Sequence, residues 1–406
     1  MDLTNEIQEL IELFQTGKTK DAEKAAIMAE QLGLIEQFED YLGELKSFFE
    51  NLWKSTAKAR VLPLLSTKSG SNPNVSKEIQ AIQKSIRRDH TAKQVSVQGI
   101  ADHARKYWIL FNASFRVRWE TIFSLEYLDL QMYKGSLPKQ LILLKKLKEV
   151  DVQGNQGFVL DDSIEYLGRV QKLNLSARRK TVLPKAIGSL AWLRELNLSS
   201  SGVGRLPDEI GELKQLKRLY LGSSFLTELP NSIGSLEQLQ ELELNSNKLE
   251  ELPDSIGNLK KLRILNLNRT NLMVLPKSIG ELKKLEELYL EGNELTQIPM
   301  EIGGATFLRV LKLSKNRIAN LPTSIGKLKR LKTLDLSQNK LMSIPVELGQ
   351  LKKLKELNLY RNGADPKPQG FLKKAYYFFV ENNKLYEDDI PKEVLALREN
   401  GCKILI

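Results

Sequence analysis

The chain has 406 residues, 61 Lys plus Arg against 50 Asp plus Glu, a formal net charge of +11 and a single cysteine. One cysteine excludes an intramolecular disulfide framework, and the plentiful charges of both signs permit an acidic partner without requiring one. No run of about 18 apolar residues occurs, so no membrane-spanning helix is expected.

In chain order, the first 60 residues carry 12 acidic and 7 basic residues. Ile7, Leu10, Ile11, Leu13 and Phe14 recur at helical spacing. A second helix is predicted from Asp21 to Leu32. A third runs from Leu34 to Trp53, with Phe38, Leu42, Leu45, Phe48, Phe49 and Leu52 on its inner face. Residues 1–62 are therefore read as an all-α N-terminal region. Met1–Glu6 lacks a basic stretch followed by an apolar run, so no secretory leader is expected and a cytoplasmic setting is the expectation.

Residues 63–120 are read as a linker with further helices. Ser66–Asn74 is loop-like in composition. Helices are predicted at Ile79–Ile86 and Val97–Phe111, the second ending in Tyr107, Trp108 and Phe111, an aromatic cluster suited to covering the open end of a stack.

From residue 121 to 386 a repeat takes over. Ten segments start 23 residues apart, at Leu147, Val170, Leu193, Leu216, Leu239, Leu262, Leu285, Leu308, Leu331 and Leu354. They read L-x-x-L-x-L-x-x-N-x-L, as in Leu239, Leu242, Leu244, Asn247 and Leu249. The asparagine position holds Asn155, Asn247, Asn293, Asn316, Asn339 and Asn362. A buried amide there can bond carbonyls of neighbouring coils. Ser201, Ser224 and Thr270 replace it in three coils and should satisfy less of that network. Arg178 breaks the pattern, which predicts local irregularity around Arg178–Lys180.

The second half of each coil reads L-P-x-x-I-G-x-L. Its prolines, from Pro184 to Pro345, suit the start of a short helical turn. Its glycines, from Gly188 to Gly349, are expected to end that turn in a left-handed conformation. Ala375, Phe378, Val380, Asn383 and Leu385 fit a degenerate last coil, and residues 387–406 read as a C-terminal cap with a helix from Ile390 and a strand at Lys403–Ile406.

These two motifs at this period resemble the typical class of leucine-rich repeat, in particular bacterial cytoplasmic repeat proteins and the plant intracellular Ras-group proteins, over about residues 125–385. The resemblance implies an α/β solenoid of about 11–12 coils with a parallel sheet on its concave side, and a concave face that binds another protein.

Catalytic constellations do not emerge. Gly17-Lys18-Thr19 resembles the end of a phosphate-binding loop, yet Glu12 stands where the motif needs its first glycine and a helix precedes it. His90 and His103, the only histidines, cannot with Cys402 make a multi-ligand zinc site, and neither has a visible nucleophile partner. Cys402 reads as a packed cap residue. No enzyme activity, cofactor or metal is expected.

Strand alternation turns the residues two, four, six and seven after each opening leucine toward the concave side. Most are polar. Tyr220, Ile264, Tyr289 and Val310 are not, and they resemble interface anchors, with Arg218, Arg269, Lys312 and Lys315 as a charged rim. A second surface is a lysine-rich stripe at the strand entries: Lys214, Lys217, Lys260, Lys261, Arg263, Lys283, Lys284, Lys327, Lys329, Arg330, Lys332, Lys352, Lys353 and Lys355. It lacks an interleaved aromatic platform and is read as a solvated face. The expected function is a monomeric, non-enzymatic scaffold that holds a protein partner. The alternatives are a host-directed effector with the same binding chemistry, and nucleic-acid binding through the lysine stripe.

Overall fold

The computed structural model describes residues 125–362 and 390–405, with Ser47 besides. The helices expected before residue 121, the Gly17-Lys18-Thr19 turn, both histidines, and the coil around Ala375–Leu385 lie outside the described residues. The chain divides into two compact units, the first holding residues up to Asp151 with two short later pieces, the second holding most of the remainder.

Twelve parallel strands occur among the described residues. In the first unit β1 (Tyr127–Asp129) pairs with β2 (Glu149–Asp151), and a 3₁₀ turn at Lys139–Leu143 lies between them in sequence. The second unit continues with β3 (Lys172–Asn174), β4 (Glu195–Asn197), β5 (Arg218–Tyr220), β6 (Glu241–Glu243), β7 (Ile264–Asn266) and β8 (Glu287–Tyr289). It ends with β9 (Val310–Lys312), β10 (Thr333–Asp335), β11 (Glu356–Asn358) and β12 (Lys403–Leu405). From β3 to β12 each strand pairs with the next, and the sheet does not close.

The 23-residue spacing sets the register: Arg218 lies against Glu241, which lies against Ile264, which lies against Glu287. Only three residues per coil are strand because the core side needs one leucine, flanked by two more at the approach and exit. Leu216, Leu219 and Leu221 are all 0% exposed. Each such side chain contributes roughly 1.5–3 kcal/mol by leaving water, and only stacked coils can bury it.

The asparagine ladder forms as expected. Asn247 Nδ2 donates to Leu221 O at 2.9 Å and Leu244 O at 2.6 Å, while its Oδ1 accepts from the Ser224 and Leu226 amides. The hydroxyl substitutes do less: Ser224 Oγ reaches Leu198 O at 2.7 Å, and Ser201 Oγ is buried with no partner among the described residues. Around Arg178 the backbone is more regular than expected. Strand β3 keeps its register with β4, and Ala177 keeps the left-handed φ of +57° found at the equivalent Ser200, Ser223 and Ser246. The change sits in the side chain: Arg178 as a whole is 6% exposed where neighbouring coils bury an amide or hydroxyl.

The proline turns are 3₁₀, with each proline extended just ahead of the turn and its carbonyl accepting from the isoleucine three residues on, as Pro207 O does from the Ile210 amide at 3.0 Å. The glycines correct the sequence reading. None from Gly188 to Gly349 in this column has positive φ. They are required by close approach: a Cβ on Gly280 would lie 2.0 Å from Glu301 O of the next coil, and one on Gly234 would lie 2.4 Å from Ser255 O.

The last described coil is closed by α1 (Lys392–Leu395), a 3₁₀ turn at Ala396–Asn400, and β12, which pairs directly with β11. Cys402 is 5% exposed in this cap, and burial pushes its thiol pKa up.

Candidate protein interface

The outward columns of the second unit's sheet carry all eight residues expected to face a partner. The register brings three of the four apolar ones together. Ile264, Tyr289 and Val310 lie on the consecutive strands β7, β8 and β9, each diagonal to the next and half-buried. Adjacent strands lie about 4.8 Å apart, so Tyr289 is a diagonal neighbour of both Ile264 and Val310, while Glu287 stands directly between those two. Tyr220 stands apart: it sits on β5, and β6 with Glu241 and Glu243 intervenes.

The tyrosines are half-buried and tied down. Tyr289 donates its hydroxyl to Glu287 Oε2 at 2.5 Å, and Tyr220 donates to Glu241 Oε2 at 3.3 Å. Burial, followed by nearby carboxylates, pushes both phenols up to about 12. Each hydroxyl is held as a donor to a carboxylate, which fixes the ring and lowers its ordering cost on binding.

Three of the four rim cations are already matched. Arg218 binds Glu195 through Nε at 2.9 Å and Nη2 at 2.5 Å, and that bond raises its pKa. Lys312 lies 3.6 Å from Asp335, and Lys315 lies 2.8 Å from Glu291. Arg269 is exposed and makes no ion pair among the described residues.

Two features escaped the sequence reading. Glu243 donates nothing and accepts from Asn266 Nδ2 at 2.6 Å; burial first, then Glu241 and Glu287, hold its carboxyl above the usual range. In the first unit Tyr127 is 45% exposed, and burial with Asp129, Asp151 and Glu149 pushes its phenol up to about 12. Its signal was present, since Tyr127 lies two residues after Leu125 in the column of Arg218, but the first coil's irregular spacing hid it.

The lysine stripe is stitched to its surroundings. Lys260 pairs with Glu281 at 2.7 Å, Lys261 bonds Gln238 at 2.6 Å, Lys283 bonds Gly280 O at 2.9 Å, and Lys329 bonds Gln350 at 2.8 Å. It does carry two exposed aromatics, Trp192 and Phe307, which are five coils apart, and the Arg330 guanidinium covers the Phe307 ring at 3.8 Å. Among the described residues no three His, Cys, Asp or Glu side chains converge to hold a metal, and no helix is long and apolar enough to cross a membrane.

The family model for the leucine-rich repeat region matches residues 162–247, 207–292 and 300–374, and a single leucine-rich-repeat model matches residues 284–305. The chain is a leucine-rich-repeat protein. Among solved structures it is similar to a leucine-rich-repeat protein of Leptospira interrogans, at 36% identity over 70% of this chain and 76% of that one, with a TM-score of 0.47. It is also similar to the Arabidopsis receptor kinase HAESA, solved with a peptide hormone and a co-receptor, at 30% identity over 59% of this chain and 42% of that one, with a TM-score of 0.50. An internalin of Listeria monocytogenes aligns at 18% identity over 71% of this chain and 88% of that one, with a TM-score of 0.49. No curated protein matches the chain. Leucine-rich repeats are widely used for protein–protein interaction, because stacked coils offer a long preformed surface.

Proposed function

We propose that this leucine-rich-repeat chain is a non-enzymatic scaffold that holds a protein partner on the outward face of strands β5–β9. The observation that carries the reading is the convergence of Ile264, Tyr289 and Val310 on three consecutive strands, half-buried and ringed by charge. Apolar anchors inside a polar rim are how interface energy concentrates. A sheet whose backbone is already ordered loses little entropy on binding. The similar HAESA structure, a receptor kinase solved with a peptide hormone and a co-receptor, supports a protein or peptide ligand. The lysine stripe is the less favoured reading: Lys260 is ion-paired with Glu281, Lys329 hydrogen-bonds Gln350, and the stripe's exposed aromatics Trp192 and Phe307 lie too far apart to form a stacking platform. The single cysteine is free and buried, which fits the reducing cytoplasmic setting we assign.

The test is capture of partner proteins from native lysate by the full chain and by the double variant Ile264→Ala/Tyr289→Ala. Capture should weaken at least ~10-fold, as truncation of interface anchors does, while the thermal midpoint changes little. Undiminished capture would remove this face as the binding surface.

A further inference from the structure

The charge on the sheet face is unbalanced in one place. Its outward columns carry Glu195, Glu241, Glu243, Glu287, Glu291, Asp335 and Glu356. Glu195, Glu291 and Asp335 are matched by Arg218, Lys315 and Lys312, and Glu356, three strands beyond β8, lies opposite Lys403 in the register. Glu241, Glu243 and Glu287 accept hydrogen bonds only from the neutral donors Tyr220, Asn266 and Tyr289, and none of the three makes an ion pair among the described residues.

The register gathers these carboxylates around the anchors. Ile264 lies between Glu241 and Glu287 along the pairing direction, and Asn266 lies between Glu243 and Tyr289. Two strand spacings separate Glu241 from Glu287, roughly 10 Å. Ile264 is therefore flanked by Glu241 and Glu287 with Glu243 diagonal to it, while Tyr289 has Lys312 on its far side and Glu241 has Arg218 on its far side. Glu241 and Glu243 lie two residues apart on one strand, and the partial burial of Glu243 removes water that would screen the two charges from each other. Burial first, then Glu241 and Glu287, raise the Glu243 carboxyl.

We infer that the partner presents a basic protein segment to β6–β8, with an arginine or lysine seated among Glu241, Glu243 and Glu287 and a neighbouring apolar side chain on Ile264 and Tyr289. This rests on the sheet-face reading above and specifies the chemistry of its partner. A guanidinium suits the position, because its planar fork can serve two carboxylates at once. Of the expected cationic rim, Arg218, Lys312 and Lys315 are paired within the protein and Arg269 is not, and the unmatched charge at Glu241, Glu243 and Glu287 is negative. The chain's net charge of +11 opposes such a partner at long range. At physiological salt that opposition is screened beyond about 8 Å, so the local carboxylates decide the contact.

The test uses the full chain and three sets of short fluorescent synthetic peptides with matched apolar residues, carrying arginine, glutamine or glutamate at the remaining positions. Binding is read by anisotropy. The arginine set should bind best. Glu241→Gln/Glu243→Gln/Glu287→Gln should weaken that binding at least ~10-fold, in the range of losing close charge pairs at an interface. Glutamine keeps the side-chain size, and its carbonyl oxygen can still accept the Tyr220, Asn266 and Tyr289 hydrogen bonds, so the thermal midpoint should hold or rise. Lys260→Gln/Lys284→Gln on the lateral stripe should leave the arginine set unaffected. Best binding by the glutamate or glutamine set, or equal arginine-set affinity for the triple variant, overturns the charge inference. If Ile264→Ala/Tyr289→Ala then still abolishes binding of the preferred set, the sheet-face reading survives alone. If neither variant moves any set, both fall.

Discussion

Phe225 occupies a backbone conformation that bulky residues seldom adopt: its φ is +60° and its ring is 63% exposed. The cause lies one residue earlier. Where the ladder position holds serine or threonine, the next residue turns left-handed, as Gly202, Phe225 and Asn271 do after Ser201, Ser224 and Thr270. Where it holds asparagine, the next amide instead reaches the preceding coil, as Lys248 N does to Leu226 O and Glu294 N to Leu272 O, both at 2.8 Å. A left-handed L-residue costs roughly 1–2 kcal/mol, and glycine loses about 0.5–1 kcal/mol of that advantage to its unfolded-state freedom. Phe225→Gly should therefore raise stability by about 0.5–1 kcal/mol, seen as a higher thermal midpoint of the full chain. A lower midpoint would mean that the exposed ring contributes packing that outweighs its strain. At this scale the ladder was legible, including the poorer service given by hydroxyls. The left-handed turn was not, because nothing in the side-chain type of Phe225 records its φ.

Each coil is a strand, a turn and a 3₁₀ segment, and the column of glycines shows why spacing alone can mislead about cause. A proline followed four residues later by glycine reads equally well as a turn that needs left-handed backbone or as a turn pressed against its neighbour. Only coordinates separate the two, and the carbonyl of Glu301 decides it at Gly280. Gly280→Ala should cost roughly 2 kcal/mol or more, since the clash is with backbone that cannot rotate away. Gly154→Ala is the contrast: its φ is +69° with nothing within 4 Å of the added carbon, and its loss should be only about 1 kcal/mol. Comparable thermal shifts in the two variants would contradict the close-approach reading. The interface divides in the same way. The outward columns followed from the repeat, and Ile264, Tyr289 and Val310 were readable from it. The pairing of Arg218 with Glu195, 23 residues away, was equally present in the spacing, but it shows only when columns are read across coils as charge pairs rather than along one coil as residue classes. Tyr220 shares its outward column with Tyr289, and only the count of strands separates it from the other anchors, since β6 with Glu241 and Glu243 intervenes.

For the whole molecule, stability in stacked coils is a sum over neighbouring pairs, so the terminal coils carry a burden that interior ones do not. At the C-terminal side of the second unit that coil is assembled from distant sequence. Lys403 pairs with Glu356, 47 residues earlier rather than 23, and Ile390-Pro391 supplies the proline turn that interior coils place directly after their ladder asparagine. The substitute fits closely: a Cβ on Gly349 would meet Glu393 O at 2.5 Å, and Ile390, Val394, Leu397 and Cys402 are all 5% exposed or less. Beneath it, Leu348, Leu351 and Leu357 are 0% exposed and Leu354 is 2% exposed. Deleting residues 390–406 would return that leucine layer to water and leave the amides and carbonyls of β11 without β12, the two conditions that make a sheet edge recruit another chain. The shortened protein should therefore unfold at a lower temperature than the full chain and associate as its concentration rises, measured by thermal unfolding together with light scattering. The proline-turn residues are part of the same surface, so restoring β12 alone through a short linker should recover the β11 pairing but not the full midpoint. A shortened chain that stayed monodisperse with an unshifted midpoint would show that residues 390–406 are not what seals this end of the sheet.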